Sequence, residues 1–248
     1  GKGRGKNKER SERAEEGKGG EKWRVEASVE EDDELYTAIH IGTGVPNGEI
    51  VCGNNTYMAT TKLDVTFRGV ASHAGGRPEE GRNALLAAAN ATLALHSLTQ
   101  HSGGSGRVNV GVLRAGSGRN VVPDFATMKV ETRGASNAVN DFIFEQALKV
   151  ISGAAAMYGV EHQVELMGAA RSSEPTTPWV NYIHRQAETI AELSSVVDNK
   201  PGAAGSEDAT YMMERVKELG GQASYVIFGT ELSAGHHNEK FDFDENVM

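Results

Sequence analysis

Three stretches of this chain alternate apolar and polar side chains. Leu63, Val65 and Phe67 do so within residues 61–68, Val108, Val110 and Val112 within 107–114, and Ala126, Met128 and Val130 within 125–132. A period of two is the mark of a strand with one buried face. Between the first two strands, residues 82–98 are rich in Ala and Leu and hold no Gly or Pro, which predicts a helix. A second helix is predicted over 138–157, where Val139, Phe142, Ile143, Ile151 and Ala154 fall at helical spacing and Gly159 offers a C-terminal stop. Val160, Val164 and Leu166 make residues 160–166 a last strand and put His162 on its apolar face as a core histidine. The order strand, helix, strand, strand, helix, strand is the split βαβ, ferredoxin-like plan.

The flanks of this unit have a different pattern. Residues 35–41 read as a buried strand, and 223–228 as a second, short one. Trp179, Ile183, Ala187, Ile190 and Ala191 mark an amphipathic helix after Pro178. Residues 205–208 read as an N-cap with acid in the first turn of a helix that runs through Met212, Met213 and Val216 to Gly220 and Gly221. The expected architecture is an α/β domain with a ferredoxin-like βαββαβ unit inserted. Its expected segments are a charged tail (1–13), a first part of the outer domain (14–56), the inserted unit (57–168) and a second part (169–248). The tail lacks any large apolar side chain, so it is expected to be disordered.

A chain of 248 residues is long enough for one large or two small domains with a sizeable core. Its net charge of −9 argues against nucleic acid as a partner. The charge is uneven: residues 1–24 carry nine Lys/Arg and five Asp/Glu, which leaves −13 on the rest. No apolar run is long enough to span a membrane, and the polar N-terminal stretch has no secretory character. Cys52 is alone, so no internal disulfide forms, which suits a reducing cytoplasm.

Several chemistries fail on spacing. The Gly/Ser-rich run at 102–106 does not match a Gly-x-Ser-x-Gly elbow, and no phosphate loop closes on Gly-Lys-Ser/Thr. What remains is the raw material of a metal-dependent hydrolase. Glu15 and Glu16 diverge from adjacent positions, so one carboxylate can ligate while the other moves a proton; the plainer reading is a solvated pair. His40 ends an apolar strand before Gly42 and Gly44, where it can reach a metal or bond a backbone carbonyl as a core residue. His73 sits in a loop after the first strand of the inserted unit, either presented to another domain or subunit or simply at the surface. Asn120 and Arg133 flank one hairpin, where an amide and a guanidinium near each other would suit a substrate carboxylate. Their plainer readings are a turn Asn and a surface Arg. His236 and His237 follow a Gly-containing turn and precede an acidic, aromatic run. His96, His101 and His184 read as structural or solvated.

Taken in order, these segments resemble the dinuclear metallopeptidases that include aminoacylases, hippurate hydrolases, indoleacetyl-amino-acid hydrolases and glutamate carboxypeptidases. The resemblance is carried by AEEG (14–17), LYTAIHIGTGVP (35–46), MATTKLDVTFRGVASHAG (58–75), RVNVGVLRAGSGRNVVPD (107–124), KVETRGAS (129–136), AGSEDATYMM (204–213) and AGHHNEKFDFDE (234–245). It implies a catalytic α/β metallopeptidase-type domain, incomplete here, with the inserted unit as lid and dimerisation domain. It implies Glu15 as general base, Glu16, His40 and His237 as ligands of two divalent metal ions (zinc or manganese), and His73 as the lid histidine that reaches the active site of a second protomer. Asn120 and Arg133 are then expected to bind the substrate carboxylate. The implied activity is hydrolysis of an N-acyl amino acid, with p-aminobenzoyl-glutamate as the expected substrate, a hippurate-like one as the alternative, and an inactive dimerisation or binding fragment as the non-enzymatic alternative. The implied assembly is a homodimer or heteromer through the lid. The family also carries an upstream His-x-Cys-x-x-His-type segment and a further C-terminal helix, so this chain is expected to be truncated at both ends.

Overall fold

The computed structural model describes residues 34–42, 44–200, 205–235 and 238–244, so the expected disordered tail lies outside the described residues. The elements in chain order are β1 (Leu35–Ile41), β2 (Glu49–Val51), β3 (Ala59–Arg68), α1 (Ala84–Leu95), β4 (Gly106–Ala115), β5 (Phe125–Gly134), α2 (Asn137–Tyr158), β6 (Glu161–Ala170), α3 (Thr177–Ala187), β7 (Ser195–Val197), α4 (Ala209–Glu218) and β8 (Gln222–Phe228). They form two four-stranded sheets, β4-β5-β3-β6 and β1-β8-β2-β7.

The first sheet is antiparallel throughout, with α1 and α2 on one face. This is the ferredoxin-like order, with the first and third strands of the unit at the centre. Alternation decides which side chains meet the helices. Leu63, Val65 and Phe67 of β3 and Ala126, Met128 and Val130 of β5 are buried against them. Ala84, Ala87, Ala88 and Ala91 give α1 a small-residue face that lets the helix lie close on the sheet. Asn83 caps α1 by accepting from the Leu86 amide at 3.0 Å, and Ser136 caps α2 through the Val139 amide. Gly159 ends α2 at φ 63°, a left-handed turn that a side chain would strain. Asn140 is buried between the layers, where its Nδ2 donates to Thr61 and its Oδ1 accepts from Thr132. That leaves no polar atom of this side chain orphaned in the core.

In the second sheet, β1 runs parallel to β8, β8 antiparallel to β2, and β2 parallel to β7. α4 packs on one face through Met213, and α3 on the other through Val180 and Ala187. Among the described residues no helix is long and apolar enough to cross a membrane.

The two layers are tied together where the chain leaves β6. Arg171 donates to Glu214 of α4 through Nε at 2.6 Å and Nη2 at 2.9 Å, and its Nη1 reaches Asp141 of α2. Asn137, at the start of α2, accepts from the Ser172 amide and donates to Glu214. One guanidinium thus joins a helix of each sheet.

Two expectations need correction. The strand at 35–41 forms, but only Ala38 is buried, while Leu35 and Ile39 are exposed. Among the described residues β1 pairs with β8 alone, so one side of it has no strand beside it. His162 lies opposite core-facing Phe67, as its parity requires, yet it is exposed because β6 is an edge strand.

Phe67 is the largest aromatic side chain wholly enclosed by the two helices and the sheet. Phe67→Ala should lower unfolding free energy by about 3–5 kcal/mol, the cost of a large core cavity. Urea denaturation checks this, and a loss below about 1 kcal/mol would mean that the site collapses around the deletion.

Candidate functional site

His40 is the sixth residue of β1, in register with Ile227 of β8, and Gly42 follows at φ 75° with its amide bonded to the Phe228 carbonyl. The imidazole Nδ1 lies 2.8 Å from the Ile41 carbonyl, and the ring stacks on Tyr225 at 6.5 Å. The carbonyl-bonded reading of this histidine therefore holds. It does not compete with the ligand reading, because a carbonyl that takes the Nδ1 proton makes Nε2 the ring's lone-pair nitrogen.

Beside His40 lies a cluster of phenols and carboxyls. The Tyr225 hydroxyl donates to Glu207 Oε2 at 3.3 Å, and Tyr57 meets Tyr225 edge-on at 4.9 Å. Burial pushes the Glu207 carboxyl above its ordinary value, and a hydrogen bond with Asp208 adds to this. The Tyr225 and Tyr57 phenols are also pushed up, by burial first. The Tyr36 phenol is raised by burial and then by Asp208 and Glu207. Sequence reasoning missed this cluster and treated residues 205–208 only as a helix start. Asp208 does take the N-cap position, but its side chain makes no capping bond. The available signal was the parity of β8, which puts Tyr225 on the same face as Ala223 and Ile227.

His73 and Asn120 are brought together at the far end of the inserted unit. His73 forms an isolated bridge with Val121, and the Ala74 amide bonds the Asn120 carbonyl at 3.0 Å. The amides of Gly75 and Gly76 both donate to His73 Nδ1, at 3.1 and 3.0 Å. An Nδ1 that accepts two N–H groups cannot carry a proton, so this loop selects the tautomer with the proton on Nε2. The ring is exposed, with its remaining nitrogen as a donor.

Arg133 is elsewhere. It lies next to the end of β5, opposite Thr60 of β3 and Arg107 of β4, and Glu131 holds it through Nε at 3.0 Å and Nη2 at 3.1 Å. Eight residues of β5, 125–132, separate it from the Asn120 segment by roughly 26 Å at ~3.3 Å per residue. The expected proximity of Asn120 and Arg133 is thus corrected: a hairpin strand runs its full length between them. Glu15, Glu16, His236 and His237 lie outside the described residues. Among the described residues no three His, Cys, Asp or Glu side chains form a group that could hold a metal ion.

The remaining candidates are structural. Cys52 is buried and its thiol is pushed up to about 12, by burial first and then by Asp198, so it is not a nucleophile. His96 Nε2 accepts from the Val110 amide, His101 Nδ1 from the Gly103 amide, and His184 meets Asp198 at 2.6 Å.

With this geometry in place, comparison with known proteins identifies the inserted unit. Residues 60–158 match the peptidase dimerisation domain, M20_dimer. Over 235 residues the chain is 59% identical to the indole-3-acetyl-aspartic acid hydrolase of Enterobacter agglomerans, covering 95% of this chain and 54% of that protein. It is 57% identical to one of the subunits of p-aminobenzoyl-glutamate hydrolase from Escherichia coli, again over 95% of this chain and 54% of the relative. The chain therefore spans about half the length of the curated relatives it matches. The crystal structure of the aminobenzoyl-glutamate utilization protein from Klebsiella pneumoniae superimposes with a TM-score of 0.76 at 57% identity, over 81% of this chain and 51% of that one. The dinuclear metal-binding M20 peptidase YXEP of Bacillus subtilis shares the fold, with a TM-score of 0.64 at 19% identity over 86% of this chain and 53% of that one.

The raised Glu207 carboxyl has a consequence for stability. The folded state keeps this proton to higher pH than the unfolded chain does. The stabilisation is therefore present at low pH and is lost as pH rises through the folded value. Glu207→Gln removes that dependence, so the variant's thermal midpoint relative to wild type should climb between about pH 4 and pH 8. A difference that stays constant across that range would show that Glu207 ionises as freely in the folded protein as in the unfolded chain.

Proposed function

We propose that this chain supplies the lid and part of the catalytic layer of a metal-dependent amidohydrolase that cleaves an N-acylated acidic amino acid. The identity of 57–59% along 95% of the chain to two amide hydrolases carries this reading. In it, p-aminobenzoyl-glutamate is cleaved to p-aminobenzoate and glutamate, as part of folate breakdown in the cytoplasm. The indole-3-acetyl-aspartic acid hydrolase favours a second reading in which the amino-acid half is aspartate and the acyl half is indole-acetyl. Side-by-side hydrolysis of the two amides decides between them.

The roles follow from placement. Residues 57–168 act as the lid, with 14–56 and 169–248 in the catalytic layer. Two divalent metal ions, zinc or manganese, would polarise the amide carbonyl and acidify the attacking water when bound. The donor set suits them: His40 has the tautomer in which Nε2 is the ligating nitrogen. Glu16 and His237 join His40 in holding them, and Glu15 takes a proton from the water and returns it to the departing amine. Arg133, oriented by Glu131, binds the α-carboxylate. His73 donates from Nε2 to the oxyanion of the tetrahedral intermediate, beside Asn120, which contacts the substrate.

The roughly 26 Å of strand between Arg133 and the segment that carries the His73–Asn120 pair exceeds the length of an acyl amino acid. One substrate therefore meets Arg133 of one copy and His73 of another. The assembly is a dimer through the lid, along the β4 edge and the outer face of α1. Leu86, Leu93 and Leu113 are exposed there, Leu93 at 79%.

His73→Ala should reduce turnover about 100- to 1,000-fold, as loss of an oxyanion donor does, with metal content unchanged. Metal analysis beside steady-state kinetics tests this, and loss of metal in the variant would refute the donor role. Leu93→Glu should shift the protein toward monomer in sedimentation velocity. A dimer unaffected by that charge would place the interface elsewhere.

A further inference from the structure

The open face of the first sheet, away from α1 and α2, carries two arginines side by side, of which Arg107 has no side-chain partner among the described residues. Arg107 and Arg133 are direct cross-strand partners on β4 and β5, so their side chains leave the same face. Their Cβ atoms are then about 5 Å apart. Like charges directly opposite in a sheet repel, and such a pair persists in a fold only if something else favours it. Glu131, the neighbouring carboxylate, is bound on both oxygens by Arg133. Among the described residues the Arg107 side chain makes no ion pair or hydrogen bond. Lys62 lies opposite Glu131 on the same face. Among the described residues Arg107, Arg133 and Lys62 share one patch of this face with the Glu131 carboxylate, in a chain of net charge −9.

We infer that Arg107 determines specificity by binding the side-chain carboxylate of an acidic amino-acid substrate, while Arg133 binds its α-carboxylate. This rests on the N-acyl amino-acid reading of the site. The chemistry required is a ligand with two carboxylates a few atoms apart on one end, and a glutamate or aspartate unit has this form. A guanidinium matches each carboxylate through a planar fork of donors. The ligand's second carboxylate gives Arg107 the anion that Glu131 already gives Arg133. A glycine unit, with one carboxylate, leaves Arg107 unmatched. Discrimination thus comes from an unpaired charge as much as from a new contact.

The test compares p-aminobenzoyl-glutamate with p-aminobenzoyl-glycine, which differ only in the side chain. Binding is measured by calorimetry on the wild-type chain and on Arg107→Gln, Arg107→Lys and Arg133→Gln. The wild type should favour the glutamate ligand by about tenfold or more, the effect of ~1.4 kcal/mol. Arg107→Gln should abolish that preference while leaving the glycine ligand's affinity unchanged, and Arg107→Lys should restore part of it. Arg133→Gln should weaken both ligands. A preference that survives Arg107→Gln, or an equal loss of both ligands in that variant, overturns the assignment of Arg107 and leaves the hydrolase reading standing. Wild-type binding to both ligands without preference does the same. Failure of the wild type to bind either ligand overturns the N-acyl amino-acid reading, and this inference with it.

Discussion

The strict alternation of β3 and β5 is the constraint on which the rest of the structure depends. These two central strands put Leu63, Val65, Phe67, Ala126, Met128 and Val130 against α1 and α2. Everything at the intervening positions is thereby committed to the opposite face. A slip of one residue would bury Lys62, Asp64, Lys129 and Glu131 and expose the core, so the register is fixed by hydrophobic burial alone. The same register sets Arg107 beside Arg133 and Glu131 beside Lys62. Core packing therefore decides the electrostatics of the outer face, with no contact between the two.

Strand length is the second determinant. β5 is long enough to hold Arg133 at one end and the segment bearing Asn120 at the other. The loop carrying His73 returns to that second end through the His73–Val121 bridge. A rigid sheet between two groups makes their separation a fixed quantity, and groups so separated act on one small molecule only when two copies contribute. In the proposed dimer, an interface on the unit's edge and the division of chemistry between its ends are in this sense one property.

Much of this was legible in the sequence because local periodicity carried it. The strands and helices of the inserted unit form within a few residues of their expected bounds, since period two and period 3.6 are properties of neighbours in the chain. What was not legible is non-local. Nothing near Ile39 shows that, among the described residues, β1 pairs with β8 alone, more than 180 residues away, and that Ile39 is exposed. The bridge that joins His73 to the Asn120 segment is equally invisible to a window of a dozen residues. The separation of Asn120 from Arg133 is a different case. The rise of ~3.3 Å per residue along a strand already forbids their meeting, and the hairpin reading failed by not applying it. Of the metal-site candidates, only His40 falls in the described residues, and its geometry sustains both of its readings at once.

The polar groups beside the second sheet follow a logic opposite to that of the outer face. There, Arg107 and Arg133 keep their charge at the edge of solvent, with Glu131 beside Arg133. Around Tyr225, burial drives the titratable groups toward their neutral forms: Glu207 toward the acid, and Tyr57 and Tyr225 toward the phenol. Phenols hydrogen-bonded to a carboxyl that is shifted toward its acid form cost less desolvation than a buried set of ionised groups would. The fold therefore separates its two kinds of polar chemistry: fixed charge on the open face of one sheet, and suppressed charge beneath the helix of the other.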